Sequence, residues 1–251
     1  MTGLPVLILL SCGRLPVHIR PMPSTDALNR FSSSSGRFIT LEGGEGAGKS
    51  TQTRAIAEAL ESLGIRTLVT REPGGTEGAE QLRSLLLYGP DWDGLAETLL
   101  HFAARAQHVA RTIRPALEQG IWVLCDRYYD STMAYQGYCQ GADRQRIAAL
   151  SAWLGLDPEV TLVLDAPVEA SVERLATRSG TLTVADRYER LGKPFFEQVR
   201  AAFLDIAASS PQRCVVLDGI RPPAEVTRMA LAALAEKLGD PRLAFAAAGV
   251  A

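Results

Sequence analysis

The sequence has 251 residues, of which 47% are hydrophobic and 22% are charged, a composition typical of a folded globular protein rather than a disordered one. Its 26 Lys and Arg residues nearly balance its 28 Asp and Glu residues, and the net charge of -2 excludes a generally basic nucleic-acid-binding surface. The cysteines have neither zinc-site nor redox-motif spacing. We therefore expect a cytoplasmic protein, with no nucleic acid and no membrane among its partners.

The first 36 residues differ in composition from the rest of the chain. The apolar run at residues 4–10 is too short to span a bilayer. A secretory signal requires a basic residue before its apolar run, and none precedes this one. Prolines and a run of serines follow, which is linker composition. We expect residues 1–36 to be a disordered extension or the result of a start site assigned upstream of Met22. The folded domain is expected at residues 37–238, and a C-terminal tail at residues 239–251.

Short apolar strands alternate with helical patterns along the predicted domain. The strands are predicted at residues 38–41, 66–70, 121–125, 160–164 and 214–217. The helices are predicted at residues 49–63, 77–88, 94–119 and 223–238, with a further helix around residues 195–206. Strands that are apolar throughout and separated by helices imply a parallel sheet covered on both faces, so we predict an α/β protein with three layers.

A glycine-rich loop follows the first predicted strand. Its sequence matches the phosphate-binding pattern G-x-x-x-x-G-K-[ST], and an amphipathic helix follows it. Phosphate oxygens must meet several backbone N–H groups at a helix N-terminus, which requires a loop with little side-chain bulk. Lys49 would place a cation at the β- and γ-phosphates of ATP, and Ser50 would place a hydroxyl on Mg²⁺. The predicted nucleotide-binding residues are Gly43, Gly44, Glu45, Gly46, Ala47, Gly48, Lys49, Ser50 and Thr51.

The residues after the third predicted strand narrow the type of nucleotide enzyme. Asp126 is expected to serve Mg²⁺, and the adjacent Arg127 suits a second anionic substrate better than an attacking water. A guanine-reading Asn-Lys-x-Asp motif is absent, because the sole Asn in the sequence, Asn29, precedes the glycine-rich loop. The chain is therefore predicted to be a kinase for a small phosphorylated substrate rather than a GTPase.

Five sequence blocks together resemble the bacterial thymidylate kinases. The blocks lie at residues 43–51, 70–76, 103–108, 126–128 and 131–137, and the similarity spans about residues 37–237. The resemblance implies a P-loop fold with a five-stranded parallel sheet of order 2-3-1-4-5 and a mobile lid. It implies transfer of the γ-phosphate of ATP to dTMP with Mg²⁺, giving dTDP and ADP for dTTP synthesis, and it implies a homodimer.

The same resemblance implies roles for residues that would bind dTMP. Arg71 and Arg127 would hold its phosphate, and Arg71 follows a strand, where α/β sheets bind ligands. Phe102 would stack on thymine, and Arg105, three residues later on the same helix face, would donate to a thymine carbonyl. Glu45 would face the sugar hydroxyl of dTMP or bound waters. Loop residues that would read the edge of the base are Thr132 and Gln136.

The predicted lid lies between Arg178 and Asp186. The variable positions of the glycine-rich loop carry no basic residue, so charge on the ATP side of the transferring phosphoryl group needs another cation. We expect Arg178 and Arg187, which flank the lid, to supply it in the manner of an arginine finger. The predicted catalytic residues are Lys49, Arg127, Arg178 and Arg187. Two alternatives remain open at this point: a P-loop kinase for another nucleotide, and a nucleotide sensor without turnover.

Overall fold

The computed structural model describes residues 36–178, Tyr188 and residues 191–249. Its strands are β1 (Phe38–Glu42), β2 (Thr67–Arg71), β3 (Trp122–Asp126), β4 (Val160–Asp165) and β5 (Cys214–Asp218). Its longer helices are α1 (Lys49–Ser62), α2 (Glu77–Tyr88), α3 (Gly94–His108), α6 (Arg144–Leu154), α7 (Val168–Arg178), α8 (Gly192–Ser209), α9 (Pro223–Leu238) and α10 (Pro241–Gly249). Two short helices, α4 (Arg114–Glu118) and α5 (Tyr129–Thr132), adjoin the π-helical turns Val109–Ile113 and Met133–Cys139.

The five strands form one parallel sheet of order β2-β3-β1-β4-β5, which confirms the predicted topology. Each strand extends one residue beyond its predicted carboxyl end, and the added residues are Glu42, Arg71, Asp126, Asp165 and Asp218. The register pairs Arg71 of β2 with Asp126 of β3, and Leu41 of β1 with the same Asp126. The carboxyl edge of the sheet therefore gathers the residues that the sequence marked as functional.

Helices cover both faces of the sheet because side chains alternate along each strand. Ile39 and Leu41 of β1 pack into one core cluster together with α1 and α9, whereas Phe38 packs into a second cluster with the π turn at Val109–Ile113. A third cluster joins β4 to α8 through Val163 and Phe203 among others. This is the three-layer arrangement that the apolar strands predicted.

The segment after Gly239 differs from the prediction of a tail. It forms α10, and Leu243 and Ala247 are buried in the core cluster that includes α1 and α9. The Ala-rich sequence concealed this helix because only two of its described side chains are buried. Among the described residues, no helix is both long and apolar enough to cross a lipid bilayer.

Candidate active site

The glycine-rich loop connects β1 to α1 at the carboxyl edge of the sheet. Gly43 has φ of 132°, and a Cβ there would lie 2.4 Å from the carbonyl oxygen of Leu164. Gly46 has φ of 73°, and a Cβ there would lie 2.4 Å from the carbonyl oxygen of Ser171. Only glycine fits both the backbone conformation and the space at these positions. The loop therefore has the strand–loop–helix form that its sequence motif predicted.

Lys49 is the first residue of α1, and its ammonium is directed back at the loop. Its Nζ donates to the carbonyl oxygens of Gly43 at 3.1 Å and Gly44 at 2.7 Å. Burial lowers the pKa of Lys49, and the positive charge of Arg127 acts in the same direction, while the Glu45 carboxylate opposes them. The ammonium is thus held in the loop where phosphate oxygens would bind.

Ser50 and Asp126 lie together beside the loop. The Ser50 hydroxyl donates to Asp126 Oδ2 at 2.8 Å. Hard oxygen ligands of this kind suit Mg²⁺, which binds through one or two protein oxygens together with substrate phosphates and waters. The described residues contain no cluster of three or more His, Cys, Asp or Glu side chains that could hold a metal ion. The pair therefore fits a metal that is bound jointly by protein and nucleotide.

Arg127 is held by an extensive set of hydrogen bonds. Its Nη1 donates to the carbonyl of Gly43 and to Ser131 Oγ, both at 3.0 Å. Its Nη2 donates to Glu45 Oε1 at 2.6 Å and to the hydroxyl of Tyr135 at 3.2 Å. Burial disfavours the Glu45 charge, but Arg127 and Lys49 outweigh it and lower the pKa of Glu45 to about 2. The two side chains are therefore a fixed ion pair at neutral pH.

A cavity of about 460 Å³ opens above these groups, a size suited to a nucleotide-sized ligand. Residues from the loop, from β2 and β3, and from α2, α3, α5 and the second π turn line it. The predicted residues among them are Glu45, Gly46, Gly48, Lys49, Ser50, Thr51, Arg71, Arg105, Asp126, Arg127, Thr132 and Gln136. One pocket therefore brings together the predicted phosphate-binding, metal-binding and base-reading residues.

Phe102 is a predicted residue that the structure places elsewhere. It does not line the cavity; its side chain is buried, and the guanidinium of Arg105 lies over its ring at 4.7 Å from the centroid. The residue that lines the cavity instead is His101, which is four positions before Arg105. A helix repeats every 3.6 residues, so three-residue and four-residue spacings both fit one face, and the sequence alone did not distinguish them.

Arg105 is fully buried and tied down on several sides. Its Nε donates to Glu72 Oε2 at 2.6 Å, and its Nη2 donates to the carbonyl of Tyr128 and to Thr132 Oγ1, each at 3.1 Å. Glu72 is in turn held by His108 Nδ1 at 3.0 Å. The remaining nitrogen, Nη1, is buried and has no partner among the described residues. It is a fixed donor that lacks an acceptor.

Gln136 has an unpartnered acceptor, in contrast to the unpartnered donor of Arg105. It lies in the π turn at Met133–Cys139, and Thr132 ends α5, so both residues are helical rather than in the predicted loop. Gln136 Nε2 donates to Glu97 Oε1 at 2.8 Å and to the hydroxyl of Tyr188 at 3.1 Å. These two contacts fix the amide orientation and leave Oε1 buried with no partner among the described residues. It is a fixed acceptor that lacks a donor.

Several lining residues were not identified from the sequence. Arg83 of α2 donates to the carbonyl of Pro73 at 2.8 Å, and burial lowers its pKa, as does the charge of nearby Arg71. His101 Nε2 lies 3.3 Å from the hydroxyl of Tyr188. No local motif marks these residues; for His101 the available signal was its four-residue spacing from Arg105 on α3. Two predicted catalytic groups, the side chain of Arg178 and all of Arg187, lie outside the described residues, so their role stays a prediction, as does the mobile lid.

Comparison with known proteins identifies the family. The family model described as thymidylate kinase matches residues 41–230. The chain belongs to the thymidylate kinase family. It is 52% identical to the thymidylate kinase of Afipia carboxidovorans over 196 residues, which covers 76% of this chain and 86% of that protein. It is also 52% identical to the thymidylate kinase of Pseudomonas fluorescens over 195 residues, which covers 76% and 91% of the two chains.

A solved structure supports the same assignment for the fold. The crystal structure of thymidylate kinase from Ehrlichia chaffeensis matches with a TM-score of 0.64 and 34% identity, and the match covers 80% of this chain and 99% of that one. The match covers most of both chains, so this thymidylate kinase family member shares the P-loop fold that the sequence resemblance implied. A nucleotide sensor or a kinase for another nucleotide is not favoured by these relatives.

Proposed function

We propose that the chain transfers the γ-phosphate of ATP to dTMP, giving dTDP and ADP. The observation that favours thymine over cytosine in the acceptor is a pair of unpartnered buried atoms on two residues that line the cavity, the donor Arg105 Nη1 and the acceptor Gln136 Oε1. A buried polar group without a partner costs about 1–3 kcal/mol, so a ligand that satisfies both gains binding energy at this point.

Thymine has the hydrogen-bonding edge that complements this pair. Its O4 carbonyl accepts and its adjacent N3–H donates, which matches Arg105 Nη1 and Gln136 Oε1 respectively. Cytosine presents the reverse, because its exocyclic amine donates and its N3 accepts. Cytosine would place a donor toward Arg105 and an acceptor toward Gln136 Oε1, and both contacts would be repulsive. The side chain of His101, which also lines the cavity, is available to pack against the base.

The opposite end of the cavity has the charge needed for two phosphorylated substrates. Arg71, Arg127 and Lys49 line it, and Arg71 is steadied by Glu80 at 3.0 Å. We assign Lys49 and the loop N–H groups to the ATP phosphates and Arg127 and Arg71 to the dTMP phosphate. Mg²⁺, bound through Ser50 and Asp126, would neutralise charge on the β- and γ-phosphates of ATP.

The reaction needs little covalent participation from the protein. An oxygen of the dTMP phosphate attacks the γ-phosphorus, and the bond from that phosphorus to the bridging oxygen of ADP breaks. Catalysis then consists of positioning and charge stabilisation. Arg127 holds the attacking phosphate next to the loop, and Lys49 compensates charge on the transferring group. Glu45, already paired with Arg127, keeps that guanidinium directed along the cavity wall.

Further proposals concern assembly and location. We propose a homodimer and a cytoplasmic location, with no nucleic acid or membrane partner. Leu85 on α2 and Leu95 and Leu99 on α3 are 44–50% exposed on two helices that pack together, which supports a second copy covering this surface. The described cysteines are free, as a reducing compartment would keep them. Sedimentation equilibrium of the chain, with the variant Leu99→Arg as comparison, tests the dimer.

A panel of nucleoside monophosphates with Mg-ATP tests the proposed acceptor. We expect kcat/KM for dTMP to exceed that for dCMP by at least about 10³, because cytosine leaves both buried groups mismatched and sites built to hydrogen-bond one group reject its analogue strongly. Comparable turnover of dCMP and dTMP would contradict the proposal.

The variant Gln136→Glu tests the base contact directly. A carboxylate there faces Glu97, and repulsion between the two charges would displace it, so the acceptor aligned with N3–H would be lost. KM for dTMP should rise by about ten-fold or more while KM for ATP changes little. Gln119→Glu, on an exposed residue far from the cavity in the same chain, is the matched control. Equal effects on the two substrates would remove Gln136 from the base site.

A further inference from the structure

The turn that carries Arg127 has an unusual backbone. In the part of the chain that the structure describes, Arg127 is the one residue other than glycine in the left-handed region, with φ of 72°. Such a conformation is unfavourable for a residue with a side chain and persists when the surroundings enforce it. The turn also connects Asp126 to α5, so its geometry sets where both side chains point. Some group must therefore hold it.

Glu42, the last residue of β1, makes the contacts that hold this turn. Its side chain is fully buried and does not line the cavity. Its Oε1 accepts the backbone N–H of Tyr128 at 2.7 Å, and its Oε2 accepts the hydroxyl of Ser131 at 2.6 Å. The first bond fixes the backbone immediately after Arg127. The second orients the hydroxyl that accepts from Arg127 Nη1 at 3.0 Å.

The backbone after Arg127 and one of the side-chain contacts of Arg127 are thus both linked to the Glu42 carboxyl group. We propose that Glu42 is a positioning residue that sets Arg127 against the phosphate of the acceptor, although it touches no substrate itself. The inference rests on the proposed function, in which Arg127 binds that phosphate. The positioning role of Glu42 explains why an ionisable group is buried at the end of a core strand, where an apolar side chain would avoid the desolvation cost.

The test compares dTMP with thymidine, which lacks the phosphate. Binding of each to the full chain is measured by calorimetry for the unaltered protein and for Glu42→Met, whose side chain has a similar length but accepts neither hydrogen bond. We expect the dissociation constant for dTMP to rise about ten-fold or more, since both hydrogen bonds to the turn are lost, while that for thymidine stays within about two-fold. Glu42→Gln keeps a hydrogen-bonding group at both positions and should restore most of the dTMP affinity.

Two further variants separate positioning from general stability. Thr40→Val removes the buried hydrogen bond between Thr40 and Thr161, on the same strand but away from the turn, and should leave the preference for dTMP over thymidine unchanged. Ser131→Ala cuts only the link to the Arg127 side chain, so it should reduce that preference several-fold, and it decides the matter if Glu42→Met does not fold.

The outcomes that overturn the inference are distinct from failure of the proposed function. Equal losses for dTMP and thymidine in Glu42→Met, no loss at all, or the same loss in Thr40→Val would reduce Glu42 to a structural residue. An unchanged preference in Ser131→Ala would do the same. If the unaltered chain bound dTMP no better than thymidine, the proposed role of Arg127 would fall, and the inference with it.

Discussion

A single-residue shift on α3 changes which ring lines the cavity. The four-residue spacing places His101 and Arg105 together on the cavity wall, whereas Phe102 packs under Arg105 in the protein interior. The sequence could predict that an aromatic or aromatic-like residue on this helix would face the base. It could not select between adjacent positions, because both fit one helical face within the width of an amphipathic stripe.

Variants at the two positions distinguish these environments. His101→Ala should raise KM for dTMP by about ten-fold, since packing of a base against a ring is worth about 1–3 kcal/mol, and should leave KM for ATP almost unchanged. Phe102→Ala should instead lower the free energy of unfolding by about 3–5 kcal/mol, because it empties a buried site. Steady-state kinetics and denaturant unfolding of both variants check this, and a selective rise in KM for dTMP in Phe102→Ala would restore the original assignment.

The buried carboxyl group of Glu42 should make the free energy of unfolding depend on pH. Burial raises its pKa from 4.5 to about 7, and the nearby Asp130 carboxylate adds to the effect, while Ser131, Arg127 and the N–H of Tyr128 oppose it. The folded chain therefore holds this proton more tightly than the unfolded chain does. The resulting stabilisation is fully present below about pH 4.5 and is lost as the pH rises through 7.

The variant Glu42→Gln lacks this titration and supplies the reference. Relative to it, the unaltered chain should lose about 3 kcal/mol in its free energy of unfolding as the pH rises from 4.5 to 8. Urea unfolding of both proteins at a series of pH values measures the difference. A difference that is constant across the range would show that the pKa of Glu42 is not raised in the folded state.

At the scale of elements, the parallel sheet accounts for most of what the sequence could predict about the site. Arg71, Asp126 and the loop at Gly43 follow strands, and parallel strands place their carboxyl ends at one edge. Contacts that depend on helices after the strands were harder to anticipate. Gln136 was expected in a loop but lies in a π turn. A π turn is wider than a turn of α-helix, but no distinctive sequence pattern marks it.

The helix α10 was also not predicted from the sequence, because its low-complexity composition has no clear pattern of buried and exposed positions. Leu243 is fully buried on α10, whereas Phe245 on the same helix is 80% exposed. Leu243→Ala should therefore cost about 2–5 kcal/mol of stability, and Phe245→Ala should change it by less than about 0.5 kcal/mol. Thermal and denaturant unfolding of the two variants compare them directly. Equal, small effects would mean that α10 contributes little to the core.

At the scale of the whole molecule, the active site lies where the strand order changes direction. β1 is flanked by β3 on one side and β4 on the other, so the helices that follow β1 and β3 leave a crevice between them at the carboxyl edge. The glycine-rich loop and the turn at Arg127 border this crevice, and the buried Glu42 contacts that turn. The strand order that places the crevice was implied by the family resemblance, and the contacts of Glu42 became visible only with side chains in place.

The start of the folded domain can be located by its own contacts. The backbone N–H of Gly36 donates to the carbonyl of Leu117 at 2.9 Å, and Phe38 is 1% exposed in the core cluster with Val109. Residues 1–33 lie outside the family match, which begins at residue 41, and the segment after the apolar run at residues 4–10 has linker composition. A shortened chain that begins at Ser34 should therefore keep its melting temperature within about 2 °C and its kcat within about two-fold.

A chain that begins at Ile39 loses both Gly36 and Phe38, and should lose several kcal/mol of stability, as expected for removal of a buried aromatic ring. Differential scanning calorimetry and dTMP turnover on the three chains measure these effects. A substantial loss already at Ser34 would mean that the preceding residues contribute to the folded domain.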